Sequence, residues 1–303
     1  MGHEPALVEE VLRCLAPQPG EIVVDGTVGA GGHSAAIAPR LLRDGRLIGL
    51  DRDAQALELA RQRLAAFPHV TLWQANFRDL TAVLSEHGIR EIHGLMLDLG
   101  VSSMHLDTPE RGFSFMHDAP LDMRMDQSQP VTAATLVNRL PELELADVLY
   151  RYGEERSSRR IARAIVAARK HRRITTTGEL ARLVRQASPR PACRARGAGR
   201  RGRRLDPATR TFQALRIVVN QELEALEQVL GQVPAVVARG GRVVIISFHS
   251  LEDRMVKRTF QSWVKSGGWT LVTRKPLVPT TASVEANRRI RSAKLRAIQR
   301  SLT

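Results

Sequence analysis

Three apolar runs in the first hundred residues each lead into an aspartate. "EIVVD" closes on Asp25, "GRLIGLD" closes on Asp51, and "IHGLMLDLG" carries Asp98. A fourth run, "HVTLWQA" (69–75), falls between the last two. Helical spacing separates the runs: from about His33, through "AQALELARQRLAAF", and briefly near 79–87. Strand and helix alternating in this way predict βα units, a parallel sheet and helices on both of its faces. Ligands of such sheets bind outside the carboxyl ends of the strands, so acids at that edge are candidate binding groups.

The alternation then stops. An opening helix is predicted at 5–15, but between about 105 and 240 no strand is predicted. The stretch 142–170 reads as helical, with Ile161, Ala164, Ile165 and Ala168 on one face. Thr176 and Glu179 have capping-box spacing ahead of another helix. "SPRPACRARGAGRRGRR" (188–204) holds seven arginines among Pro and Gly and reads as a solvated, mobile loop. A long helix is predicted at 208–231, and strand character returns at "GGRVVIISF" (240–248). "WTLVTRK" and "RSAKLRAI" are predicted to add an antiparallel edge. The expectation is an α/β doubly wound sheet interrupted by a helical insertion, divided as 1–108, 109–207 and 208–303.

Lysine and arginine outnumber aspartate and glutamate 46 to 31, a net charge of +15 with a pI of about 11.2. Such a balance favours a polyanionic partner, with nucleic acid foremost. Hydrophobic residues make up 43%, enough for a core, yet no run approaches the ~18 apolar residues of a membrane span. The N-terminal "MGHEPALVEE" lacks an apolar signal segment. Two cysteines, Cys14 and Cys193, make neither a disulfide framework nor a zinc pattern. A cytoplasmic protein without a metal is expected.

The loop "DGTVGAGGHS" (25–34) admits three ligand classes. A phosphate loop needs Lys and Ser or Thr where this chain has Gly32 and His33, and residues 21–38 hold no cation, so that reading fails on charge. A dinucleotide fingerprint begins at Gly29 and Gly31, but Ser34 takes its third position. S-adenosylmethionine carries a sulfonium, an amino-acid end and a ribose but no phosphate. An uncharged glycine loop that lets the ligand approach the backbone suits it, and Asp51 suits its ribose hydroxyls. The second and third readings both remain open on these residues alone.

Further segments extend the pattern: "LDRD", "LDLGVSS", "ERGFSF", "PLDMRMD", "YGEER", "RIARAI", "PATRTFQALRI", "SFHSLEDR" and "RSAKLR". In this order, over about residues 3–300, the set closely resembles the MraW family of 16S rRNA cytosine 4-amino methyltransferases. The resemblance implies a class I (Rossmann-like) methyltransferase sheet with an inserted helical, RNA-recognition domain. It implies S-adenosyl-L-methionine as donor and a decoding-region cytidine of 16S rRNA in the small ribosomal subunit as acceptor. By position it implies cofactor contacts from Gly31, Gly32, His33, Asp51, Phe77 and Asp98, and from His105, which stands where the family form carries Gln. A homodimer is compatible with it. The chain also departs from the family at Asp206, where His is usual, and at "NRRIRSAKLR".

Cytosine's exocyclic amine is a poor nucleophile because its lone pair is delocalised into the ring. Transfer to it depends on positioning and on an acceptor facing the amine hydrogens. Asp98, at the end of the fourth strand, is the first candidate; His249 in "SFHSLED" is the second, with a structural hydrogen-bonded role as its alternative. Aromatics make up only 4% of the chain, so stacking falls to single residues such as Phe113, Phe115, Trp263 or Trp269. Two other classes stand beside a methyltransferase. A nicotinamide oxidoreductase would leave the basic insertion unexplained, and a non-catalytic RNA-binding assembly factor would leave the intact loop unexplained.

Overall fold

The computed structural model describes residues 5–188 and 206–302. The arginine-rich segment apart from Ser188, and Cys193 within it, lies outside the described residues. Seven strands form one sheet: β1 (Ile22–Asp25), β2 (Arg46–Asp51), β3 (Val70–Gln74), β4 (Ile92–Asp98), β5 (Val237–Ser247), β6 (Trp269–Leu271) and β7 (Lys294–Arg300). Their order is β3-β2-β1-β4-β5-β7-β6. The first five are parallel, while β7 runs antiparallel to both β5 and β6, as expected for the final two runs. This is the α/β sheet of a class I methyltransferase fold.

The side-chain period of two sorts each strand between two cores. Val24, Leu95, Leu97, Val243 and Ile245 face the helices Leu80–Glu86, Glu222–Val236 and Ser250–Ser266. Val23, Met96, Val244 and Ile246 face the helices Val8–Leu15 and Gly32–Leu41. The central residues of β1, β2 and β4, and residues 243–246 of β5, are apolar because both faces are covered there, whereas β3 and β7 nearer the edges carry polar residues. Each buried Val, Leu or Ile contributes about 1.5–3 kcal/mol. Asp53 caps the helix Ala54–Leu64, its carboxylate accepting from Gln55 N at 2.9 Å.

The chain divides into two compact units, residues 1–102 with 223–303, and residues 103–222. The second unit is helical: Ala133–Arg139, Glu142–Gly153, Ser158–His171, Thr177–Ala187 and Ala208–Asn220. Ile161 and Ile165 are fully buried there, whereas Ala164 and Ala168 are only partly so, and Ala162 takes their expected place. Thr176 and Glu179 make the reciprocal capping box that their spacing predicts.

Three of the expected boundaries differ in the structure. The helix at 208–220, expected with the second methyltransferase part, belongs to the helical unit. It crosses the helix Glu142–Gly153 so closely that a Cβ on Gly153 would stand 2.6 Å from the Arg210 carbonyl oxygen. The predicted single helix over 208–231 is two, ending at Asn220 and restarting at Glu222, with Gln221 left-handed between them (φ 49°). The Asn220 amide is occupied at that break, donating to the Met123 carbonyl at 2.7 Å and accepting from Met125 N at 2.8 Å. The predicted 142–170 helix likewise breaks after Gly153, where Glu154 is left-handed. No helix among the described residues is long and apolar enough to cross a membrane.

Candidate functional site

The carboxyl ends of β1, β2 and β4 bring Asp25, Asp51 and Asp98 to one edge, with the glycine loop 26–32 between the first strand and its helix. Asp51 ties this loop to β2: its Oδ2 accepts from Gly29 N at 2.9 Å, and its Oδ1 accepts from Asp53 N at 2.9 Å. A carboxylate oxygen accepts from more than one donor, so these bonds are compatible with ribose hydroxyls on the same group. Gly31 takes a φ of +81°, and a Cβ there would lie 3.3 Å from Leu64. The loop presents backbone and no cation, so it suits a ligand that brings no phosphate. Phe77 opens the turn after β3, and its Cβ would stand 3.2 Å from a Cβ built on Gly26, which places the residue beside the loop.

His33 begins the helix behind the loop and is 6% exposed. Its Nε2 lies 3.3 Å from Asp98 Oδ2, close enough for an ion pair though not aligned as a hydrogen bond. Burial works against protonation of this imidazole, but the Asp98 carboxylate and, behind it, Asp25 outweigh burial and raise its pKa. Asp25 is buried too, and desolvation pushes its carboxyl upward despite the 2.7 Å hydrogen bond donated by Ser34 Oγ and the nearby His33. The Asp98 backbone is fixed by its N–H, which donates to Thr27 Oγ1 at 2.7 Å.

Asp98 Oδ1 and His33 Nδ1 are buried without a hydrogen-bond partner. Leaving such groups unmatched costs about 1–3 kcal/mol each, so the edge is built for a ligand that supplies both a donor and an acceptor. A zwitterionic amino-acid group has that chemistry, its ammonium for the carboxylate and its carboxylate for an imidazolium.

Of the positions singled out in the sequence, Gly31, Gly32, His33, Asp51, Phe77 and Asp98 all lie at this edge. His105 belongs to the helical unit, buried in the short helix Ser103–Asp107 with its ring 4.9 Å from that of Phe113. His249 is the N-cap of the helix Ser250–Ser266. Its Nδ1 accepts from Glu252 N, while Glu252 Oε2 accepts from Phe248 N at 2.8 Å and His249 N at 3.3 Å. This cap engages His249 Nδ1, while its Nε2 is buried without a hydrogen bond, 3.1 Å from Glu252 Oε1. Sequence reasoning misses Ser34 and Thr27 as supports. Ser34 enters it only as a flaw in a dinucleotide fingerprint, although a hydroxyl nine residues after a buried acid is the available signal.

The sequence model of the MraW methylase family matches residues 1–301. A protein of Syntrophotalea carbinolica called ribosomal RNA small subunit methyltransferase H is 49% identical to this chain over 314 residues, covering 98% of each. One of the same name from Symbiobacterium thermophilum is 48% identical over 98% of this chain and 96% of its own. Among solved structures, an rRNA methylase from Streptococcus thermophilus aligns with 97% of this chain and 93% of its own at 13% identity, with a TM-score of 0.41.

Proposed function

This chain belongs to the MraW methylase family, and we propose that it methylates the exocyclic 4-amino group of a decoding-region cytidine in 16S rRNA. S-adenosylmethionine is its cofactor and supplies an electrophilic methyl group on sulfur. The single observation that carries the reading is the buried, unpartnered Asp98 Oδ1 beside an uncharged glycine loop. The names of the 46–49% identical relatives support a small-subunit rRNA substrate.

In this reading Gly31 and Gly32 present backbone to the cofactor, Asp51 holds its ribose hydroxyls and Phe77 lies against its adenine. His33, whose pKa Asp98 and Asp25 raise against the opposing effect of burial, donates to the methionine carboxylate. Asp98 accepts from the ammonium and faces the target amine, where its charge favours the positive charge that develops on nitrogen during transfer. The helical unit recognises the RNA, and the target base leaves its stack to reach the methyl group.

The test is transfer of tritiated methyl from S-adenosylmethionine to small subunits lacking the modification, followed by nucleoside digestion. Label in N4-methylcytidine at one decoding-region position is expected. Label in another nucleoside, or none with cofactor demonstrably bound, would overturn the assignment.

A further inference from the structure

A second basic feature lies within the sheet-bearing unit, distinct from the edge that carries Asp98. A recess of about 580 Å³ is bounded by Arg13 and Cys14 at the end of the helix Val8–Leu15 and by the strap 272–277 that follows β6. Arg13, Arg274 and Lys275 are exposed there, and none of the three pairs with a carboxylate among the described residues. Three cations gathered around one recess repel one another unless an anion joins them. Glu10, one turn back, is the acid that acts on the Cys14 thiol. That thiol is itself held neutral, because burial outweighs Arg13 and Arg242 and raises its pKa.

The surroundings are rigid. Val272 N and Thr273 N both donate to the Ala297 carbonyl at 3.0 and 3.1 Å, and Thr273 Oγ1 accepts from Ala297 N at 2.9 Å. Leu277 bridges to Leu295 in β7, closing the far end of the strap. Arg242 Nη1 donates to the Cys14 carbonyl at 3.2 Å, anchoring the helix end to β5. Arg242 is opposite Gly94 in register and Ile246 opposite Asp98, so the helix-end wall lies about 13 Å down the strands from the carboxylate edge. Leu277, bridged to Leu295 opposite Ile246, lies at the level of Asp98 but across two strands of the sheet, β5 and β7. Cations held on pinned backbone lose little freedom when an anion arrives. Val272 and Leu277 line the same recess and offer an apolar wall to a sugar.

We propose that the Arg13–Arg274–Lys275 recess binds a backbone phosphate of the RNA substrate, a contact on the sheet-bearing unit that is separate from both the transfer edge and the helical unit. The inference rests on the RNA reading above. A free phosphate shares the chemistry, but a recess open to three exposed cations and walled by apolar side chains suits a phosphate with a sugar attached.

The experiment compares the full-length protein with an Arg13→Ala/Arg274→Ala/Lys275→Ala variant and with Arg13→Lys/Arg274→Lys, which keeps the charge and controls for damage to folding. Binding of a 16S decoding-region RNA is measured across salt concentrations, with methyl transfer measured at saturating RNA. For the alanine variant we expect RNA affinity to fall about tenfold or more, and the slope of log K against log salt to drop by about 0.7–0.9 for each phosphate that is no longer neutralised. Turnover at saturation and S-adenosylmethionine affinity should be unchanged, and the lysine variant should bind like the wild type. Wild-type RNA binding that the alanine substitutions leave unaltered in strength and slope overturns the recess assignment alone. Absence of wild-type RNA binding overturns the RNA reading and this inference with it. Tight binding of inorganic phosphate that the alanine variant loses, with RNA binding intact, assigns the recess to a free anion and overturns the proposal.

Discussion

His33 Nε2 stands 3.3 Å from Asp98 Oδ2, so a buried residue from the start of the second helix and a half-buried one from the end of the fourth strand form a close pair at the ligand edge. The pair joins two segments of sequence 65 residues apart around one proton. That proton has consequences for stability and for chemistry.

The first consequence concerns pH. The folded pKa of His33 is raised above its ordinary 6.5, so the folded state holds the proton more tightly than the unfolded chain. The stabilisation is complete below about 6.5 and is lost as pH rises through the folded value. The ligand-free protein should therefore lose thermal stability relative to His33→Gln as pH increases above neutral. Melting curves of both proteins between pH 6 and 9 check this; a difference that grows with pH would reverse the sign.

The partner carboxylate should matter to catalysis. Asp98→Asn keeps the shape but removes the charge beside His33 that is proposed to face the target amine. We expect turnover to fall by at least ~100-fold, the scale of losing one preorganised electrostatic group. S-adenosylmethionine affinity should weaken as well. Single-turnover kinetics with separately measured cofactor affinity would detect it, and normal values for both would remove Asp98 from its assigned role.

Gly31 tests the loop. Its φ of +81° and the 3.3 Å approach of Leu64 leave no relaxed place for a methyl group. Gly31→Ala should destabilise the protein by roughly 1–2 kcal/mol and weaken cofactor binding, because the strained loop shifts away from its backbone presentation. Denaturant melts and cofactor titration of the variant give both quantities.

His249 tests a structural role against a chemical one. Asn is among the best N-cap residues, so His249→Asn should retain stability and methyl transfer, while His249→Ala should cost about 1 kcal/mol. A large loss of turnover in a stable His249→Asn protein would restore this residue as a candidate base.

Much of this arrangement is legible in residue order. Strands buried on both faces must be apolar throughout, so an acid at the end of each run stands out, and Asp25, Asp51 and Asp98 do mark the edge. The antiparallel β6 and β7 are also legible, from apolar runs near the end of the chain. The break at Gln221 is not, because apolar spacing continues across it and the chain turns for a reason distant in sequence, the Asn220 amide bonding to residues 123 and 125. The early start of β5 at Val237 is hidden in the same way, since the apolar residues before Gly240 read equally well as the end of a helix. The His249 cap shows its Glu252 three residues on, but histidine is not a usual cap, so the spacing gives no clear signal. Ser34 and Thr27 act through contacts between segments, which periodicity does not encode.

The most direct measurement is calorimetric titration of the purified protein with S-adenosylmethionine, S-adenosylhomocysteine, NAD and ATP in parallel. A cation-free glycine loop backed by Asp51, Asp98 and His33 should bind the two sulfur ligands and neither phosphate-bearing one. NAD or ATP binding that S-adenosylmethionine fails to displace, or no binding of S-adenosylmethionine at all, would contradict the reading of this edge as a methyl-donor site.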